Sequence, residues 1–217
     1  MKRICILVAV LFAFVSGTEG ATAGPERQNF ATVKGSPFMR VFGETQPPYG
    51  FVRFCETNGK ACFTTEKLSE IRFQPSLERF SELDEVNRAV NHSIAPATDM
   101  EIYGVSEYWT LPNDRGDCED YALLKQKILA ERGWPMSALL ITVVRDEKGE
   151  GHALLTVRTA QGDFLLDNKV DDVRVWNTSN YQFIMRQSYL DPRVWVSLDP
   201  ADRSAPDAIA GVKNGRQ

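Results

Sequence analysis

The stretch that most constrains the fold is a polar turn followed by a helix start. Gly116 permits a tight turn, and Asp117 is a residue type that favours the N-cap. Cys118 is therefore predicted in the first helical turn, where unpaired N–H groups and the helix dipole stabilise a thiolate, although a buried structural cysteine would fit the same position. Gly133 ends an apolar pattern at helical spacing, which comprises Ala122, Leu124, Ile128 and Leu129.

Residues 1–23 have the organisation of a secretory signal peptide. A basic start precedes an apolar run from Ile4 to Val15, and small residues up to Ala23 provide a cleavage site. An uncleaved anchor is the alternative, but this run is short for crossing a bilayer, and no later segment approaches that length. We expect an exported chain without a transmembrane segment after cleavage, with one domain over residues 24–200 and a disordered tail over 201–217.

The charge pattern excludes one class of partner. The chain has 25 basic and 29 acidic side chains, a formal net charge of −4, and no run of Lys or Arg. Proteins that bind the phosphate backbone carry a basic patch or stripe, so we expect no nucleic-acid partner.

One cysteine, Cys118, is expected to have no disulfide partner. Cys55 and Cys62 flank an Asn58-Gly59 turn signal, and in an oxidising compartment two such close cysteines most simply pair. Because Cys5 is removed with the signal peptide, Cys118 is left as a free thiol, which invites a functional explanation. Pairing of Cys118 with either of the other two would abolish that thiol.

The hydrophobic periodicity predicts helices followed by an antiparallel meander. A helix is expected from Ser76 to about Asn91, a short strand at Phe51–Phe54, and an irregular connection over residues 93–116. This order predicts an α+β fold, in which a helical N-terminal part packs on an antiparallel sheet. The predicted strands of that sheet cover residues 138–145, 152–159, 164–167, 170–176, 181–186 and 193–198.

Three residues form a candidate catalytic set. His152, one of two histidines, begins a predicted strand after the helix of Cys118. A thiol beside an imidazole suits nucleophilic catalysis, because the base takes the thiol proton and a third group orients the ring. Asp167 can supply that group from the end of the next strand. The backbone N–H of Cys118 is the expected oxyanion donor, whereas the nearby Trp109 is more typical of packing.

The register of the two strands does not decide which aspartate orients the His152 ring. A two-residue turn at Gln161-Gly162 would place Asp171 opposite His152 and leave Asp167 too far along its strand. A turn centred nearer Ala160, or a bulge, would instead bring Asp167 to the ring.

Several separate motifs resemble the bacterial transglutaminase-like cysteine proteinases, the group that contains the LapG-type periplasmic proteases. This resemblance implies a papain-like, transglutaminase-like fold with Cys118 as nucleophile, His152 as general base and Asp167 as orienting group. The motifs follow the expected order between about residues 36 and 198, and they comprise Asn87…Asn91, Tyr108-Trp109, Gly116–Tyr121, Gly151–Ala153 and Leu166–Asn168.

The resemblance also implies calcium, because LapG-type members bind it through acidic residues that match Asp117 and Glu119 here. Asp114 and Asp120 add carboxylates to the same stretch, and calcium requires several oxygen ligands. Helix capping and the helix dipole explain the same acidic residues without a metal.

The function implied by the resemblance is proteolysis in the periplasm. LapG-type proteases cut a large surface adhesin near its N-terminus, which releases cells from a surface and so controls attachment and biofilm. An inner-membrane receptor that responds to cyclic di-GMP holds them. An acyltransferase that joins glutamine to an amine, and a catalytically silent binding module, are the alternative functions.

Overall fold

A seven-stranded antiparallel sheet organises the described part of the chain. The computed structural model describes residues 35–62 and 70–201, so the predicted signal peptide and nearly all of the predicted tail lie outside it. The strands in chain order are β1 (Glu44–Thr45), β2 (Ala95–Pro96), β3 (Arg115–Gly116), β4 (Leu139–Arg145), β5 (Gly151–Thr159), β6 (Gly162–Asp167), β7 (Val170–Val175), β8 (Gln182–Gln187) and β9 (Trp195–Ser197).

Five α-helices accompany these strands in the described residues, together with 3-10 helices at Met136–Ala138 and Trp176–Thr178. The helix predicted from Ser76 is present, and the Ser76 hydroxyl caps it by accepting from the Arg79 N–H at 3.2 Å. Gly133, with φ +84°, follows the helix that starts at Cys118, as predicted. The helices are α1 (Tyr49–Thr57), α2 (Gly59–Cys62), α3 (Leu77–Ser93), α4 (Asp99–Tyr103) and α5 (Cys118–Glu131).

The strand order of the large sheet is β1-β9-β8-β4-β5-β6-β7. Its six predicted strands correspond to β4 through β9, and α3 and α5 pack on one face. The strands β4, β5 and β6 are nearly continuous apolar runs that are buried on both faces, and the face toward α3 and α5 forms the core between sheet and helices. Its members include Leu83, Val86, Leu129, Leu139, Leu155 and Leu166.

The β5–β6 register decides where Asp167 lies. Thr159 pairs with Gly162, so the turn is formed by Ala160 and Gln161 and not by Gln161-Gly162. Along this register Asp167 falls two residues from the position opposite His152, on the same face of the sheet. The turn centre nearer Ala160 therefore brings the two side chains together without a bulge in this strand pair.

The short strand predicted at Phe51–Phe54 is wrong, because these residues lie in α1. Phe51 and Phe54 are three residues apart and both buried, whereas Arg53 is exposed. That spacing puts both rings on one helical face, and a strand would have placed Phe51 and Arg53 together. The predicted Cys55–Cys62 disulfide is present and joins α1 to α2.

Residues 93–116 are more ordered than the sequence predicted. The helix α4 begins with a capping box, in which Thr98 accepts from the Glu101 N–H and Glu101 accepts from the Thr98 N–H. The parallel β2–β3 pair then ties the chain after α3 to the residues just before Cys118. A Thr-x-x-Glu pattern was visible in the sequence and could have predicted α4.

None of the helices in the described ranges is both long and apolar enough to cross a bilayer.

Candidate active site

The start of α5 is held in place by a buried carboxylate that requires a glycine beside it. Asp120 is fully buried, and its Oδ1 accepts from the Thr110 N–H at 2.9 Å. A Cβ at Gly116 would lie 2.6 Å from the other oxygen of Asp120, so no larger residue fits without a shift. Burial raises the pKa of Asp120 to about 7. Gly116 and Asp120, two residues before and two residues after Cys118, are thus packed against each other.

His152 and Asp167 form a buried pair between β5 and β6. The distance from His152 Nε2 to Asp167 Oδ1 is 2.9 Å, and each side chain is 1% exposed. An ionised carboxylate only accepts hydrogen bonds, so Nε2 carries the proton toward Asp167 and Nδ1 is left for another partner. Asp171, the alternative from the sequence, instead contacts the other histidine, His92, at 3.1 Å.

The carboxylate of Asp167 has three further donors around it. The Tyr181 hydroxyl donates to Oδ2 at 2.7 Å, the Lys169 N–H donates to Oδ1 at 3.0 Å, and Arg174 Nη2 lies 3.5 Å away. Burial opposes ionisation of this carboxyl, but the hydrogen bond and charge of His152, with the other donors, lower its pKa to about 2. Asp167 is therefore ionised throughout the neutral range.

Sequence reasoning missed Tyr181 as part of this site. Its ring meets the His152 ring edge-to-face with centroids 5.7 Å apart, while its hydroxyl bonds Asp167. Tyr181 stands just before β8, two strands away from β5 in the sheet, so only the tertiary fold brings it here. Its one sequence signal was its position at the start of a predicted strand.

The thiol of Cys118 lies against the strand that carries His152. It is free and partly buried, and the Ala153 backbone N–H lies near its sulfur. Because Ala153 directly follows His152, this proximity places the sulfur at the start of β5.

The surroundings of Cys118 favour the protonated thiol and not the thiolate that its position at the helix start predicts. The Cys118 thiol donates to Glu119 Oε2 at 3.1 Å. Burial, followed by the charge and hydrogen bond of Glu119, raises the pKa of Cys118 well above its ordinary value. The helix N-terminus alone favours the anion, but burial of the thiol, reinforced by Glu119, reverses that preference.

An acidic cluster lies beside the thiol. Asp99, Asp117 and Glu119 each place a carboxylate oxygen within 4.8 Å of the others. Asp117 occupies the predicted N-cap position but makes no capping hydrogen bond with its side chain. Asp99 comes from α4, and sequence reasoning missed it because α4 was not predicted. Asp120, by contrast, is engaged with Thr110, and neither it nor Asp114 belongs to this three-residue group.

The chemistry of the acidic cluster fits calcium. Burial raises the pKa of Asp99 to about 6, and burial with the charge of Asp117 raises that of Glu119 to about 9. These shifts arise because negative charge is gathered where water is excluded. Oδ1 of Asp99 and Oδ1 of Asp117 are buried without a hydrogen-bond partner. Orphaned carboxylate oxygens of this kind suit a hard divalent cation.

Comparison with protein families identifies the chain. A sequence model of the family described as bacterial transglutaminase-like cysteine proteinase matches residues 41–203. The chain belongs to this family. The match confirms the predicted family, the predicted enzyme class of cysteine peptidase and the predicted α+β fold class. Comparison with curated proteins finds no match.

Solved structures of Legionella pneumophila LapG resemble this member of the transglutaminase-like proteinases. The calcium-bound form is 24% identical with a TM-score of 0.47, over 54% of this chain and 68% of that chain. The EGTA-treated form is 24% identical with a TM-score of 0.44, over 50% of this chain and 62% of that chain. The match thus spans less than two thirds of the EGTA-treated LapG chain.

Trp109 has a packing role in this transglutaminase-like proteinase. It is 5% exposed, and its ring meets those of Phe51 and Trp195 at centroid distances of 5.8 and 6.3 Å. Its Nε1 donates to Glu107 Oε1 at 2.6 Å, so this donor is occupied.

Proposed function

We propose that this chain is an exported cysteine endopeptidase with Cys118 as nucleophile, His152 as general base and Asp167 as orienting group. The observation that carries the proposal is the buried hydrogen bond between His152 and Asp167. His152 directly precedes Ala153, whose backbone N–H lies near the Cys118 sulfur. With Nε2 committed to Asp167, Nδ1 is the nitrogen available to the thiol.

The reaction follows from these roles. His152 Nδ1 takes the thiol proton as the sulfur attacks the peptide carbonyl carbon, and the carbonyl oxygen becomes an oxyanion. The Cys118 backbone N–H donates to that oxygen. The protonated imidazole then gives its proton to the leaving amine, which breaks the C–N bond and leaves a thioester. Water, deprotonated by His152, attacks the thioester and releases the acid and the free thiol.

The acidic cluster would hold calcium through Asp99, Asp117 and Glu119. A bound calcium ion supplies positive charge that offsets the three carboxylates gathered at the start of α5. Of these, Asp117 and Glu119 match the positions implied by the sequence resemblance, and Asp99 adds a third ligand from a different helix.

The proposed substrate is a large surface adhesin cut near its N-terminus, and the proposed location is the periplasm. Cleavage would release cells from a surface, and an inner-membrane receptor for cyclic di-GMP would hold the enzyme. The signal-like N-terminus and the Cys55–Cys62 disulfide support an oxidising, exported location. The family match supports the choice of a protein substrate.

Incubation with a candidate adhesin tests this function. The purified protein is mixed with the N-terminal region of a surface protein from the same organism, with calcium or with EGTA. We expect two fragments whose masses sum to the substrate plus one water, and no fragments with Cys118→Ala. Full activity of Cys118→Ala would refute the nucleophile. A product joined to an added amine would instead identify the acyltransferase alternative.

A further inference from the structure

Three arginines surround one aspartate at the end of the sheet away from the catalytic residues. Arg158 lies on β5, six residues from His152, which is about 20 Å along an extended strand. It pairs with Asp163 of β6, while Arg186 extends from β8 toward the same carboxylate. Arg72 completes the group from the segment before α3.

The Asp163 carboxylate is already engaged. Asp163 is fully buried, and its Oδ1 accepts from Arg72 Nη1 at 2.6 Å. Its Oδ2 accepts from the Met39 N–H at 2.7 Å, so Arg186 Nη1 is left at 3.9 Å. Glu70 is a second acidic residue close enough to act on Arg158. Three guanidinium groups thus face two carboxylates, and the group carries a net positive charge.

Two of these arginines are buried with unpaired N–H groups. Arg186 is 2% exposed, and its Nε and Nη1 have no hydrogen-bond partner in the described part of the chain. Arg158 is 5% exposed; its Nη2 donates to the Glu70 carbonyl at 2.6 Å, but its Nη1 is likewise unpartnered. Buried donors in folded proteins are nearly always satisfied by protein, water or an ion.

We propose that Arg158 and Arg186 bind a small oxyanion of the sulfate or phosphate class. Water could complete their hydrogen bonds, but it would leave the buried positive charge uncompensated, which is costly in a medium of low dielectric constant. The planar guanidinium group presents paired donors that match two oxygens of such an anion. Because both arginines are buried, a peptide cannot reach them, and the proposed ligand is therefore a small inorganic ion.

The bound ion stabilises the fold and takes no part in proteolysis. It bridges β5 and β8, which are separated by β4, and it lies beside the carboxylate that holds the Met39 backbone. Loss of the ion should therefore lower the thermal midpoint of unfolding, while catalysis by folded protein continues.

The direct test is an anomalous diffraction experiment on the full chain. Crystals grown without sulfate or phosphate are soaked in selenate, and we expect an anomalous peak within hydrogen-bond distance of Arg186 Nε and Arg158 Nη1. Ordered waters without a selenium peak at this position would overturn the proposal.

Thermal unfolding separates specific binding from general salt effects. At constant ionic strength, replacing chloride by sulfate should raise the midpoint saturably, by roughly 5 °C at a hundredfold excess over Kd. Arg158→Gln should lose this rise, whereas Arg53→Gln, with a side chain 63% exposed on α1, should keep it. A rise that does not saturate, or an equal rise in Arg158→Gln, indicates an adventitious ion only and contradicts the site. The selenate experiment on the unaltered chain decides the question if Arg158→Gln does not fold.

Discussion

His152 Nε2 lies 2.9 Å from Asp167 Oδ1, and the two side chains are almost completely buried. The carboxylate is ionised because its pKa is lowered to about 2, so it holds the ring in the tautomer with a proton on Nε2. The orientation of the proposed base therefore depends on one buried anion, and several predictions test that dependence.

Asp167→Asn should reduce kcat/KM by roughly 10²–10⁴-fold, because an amide no longer enforces the productive tautomer. Steady-state kinetics on the cleaved substrate measures the change. The control is Asp172→Asn on β7, where the side chain is 79% exposed and pairs with Arg88, and it should retain full activity. Equal rates for Asp167→Asn and the parent would refute the orienting role.

Tyr181→Phe removes one hydrogen bond from the Asp167 carboxylate and keeps the ring packed against His152. We expect kcat to fall while KM is unchanged, with a loss of unfolding free energy of about 1 kcal/mol. Rates and urea unfolding are measured on the same preparation, with Tyr49→Phe, a 73% exposed tyrosine, as control. A change confined to KM would argue against positioning of the triad.

Acid should destabilise the fold through Asp167. Its folded pKa of about 2 is below the ordinary value near 3.9, so its stabilisation is present above about pH 4 and is lost as the pH falls toward 2. The contribution is on the order of 2 kcal/mol. Urea unfolding at pH 6 and pH 3 should show a smaller loss of stability in Asp167→Asn than in the parent chain. Parallel losses in the two proteins would contradict this assignment.

Calcium should bind at the cluster of Asp99, Asp117 and Glu119. Asp99→Asn is expected to weaken calcium binding at least tenfold in calorimetry, because it removes a charged oxygen ligand, and EGTA should lower the thermal midpoint of the parent. Glu56→Gln, whose side chain is 57% exposed on α1, is the control and should bind normally. Unaltered affinity in Asp99→Asn would exclude this aspartate as a ligand.

Gly116→Ala should destabilise the start of α5. The added Cβ would lie 2.6 Å from Asp120 Oδ2, and forced contacts of this kind cost about 1–3 kcal/mol. Urea unfolding measures the loss, and Gly151→Ala is the matched control because a Cβ there meets nothing within 4 Å. Identical midpoints for the two variants would show that Asp120 moves aside freely.

Local patterns were enough to predict the elements that carry the proposed triad. The helix start at Cys118 and the apolar strands around His152 and Asp167 are each encoded within about ten residues, so apolar runs and turn residues identify them. These patterns did not decide whether His152 pairs with Asp167 or with Asp171, because the answer depends on which two residues form the turn between the strands. That choice changes the register along both strands.

Features that join distant segments could not be predicted from the sequence. Asp99 reaches the acidic cluster only because α4 packs near the start of α5, and Tyr181 reaches Asp167 across the sheet. The error at Phe51–Phe54 has a simpler cause: a four-residue run is too short to separate a period of two from one of 3.6.

The short parallel pairing of β2 with β3 fastens both ends of the segment between them, since the Ala95 N–H donates to the Asp114 carbonyl and the Ala97 N–H donates to that of Gly116. The segment between β2 and β3 is therefore fixed at both ends by backbone hydrogen bonds. Met100, Tyr103 and Val105 on its outer surface are exposed, so substitutions at these positions should leave the start of α5 in place. The outer surface of this segment can therefore differ in shape and polarity while Cys118 keeps its position.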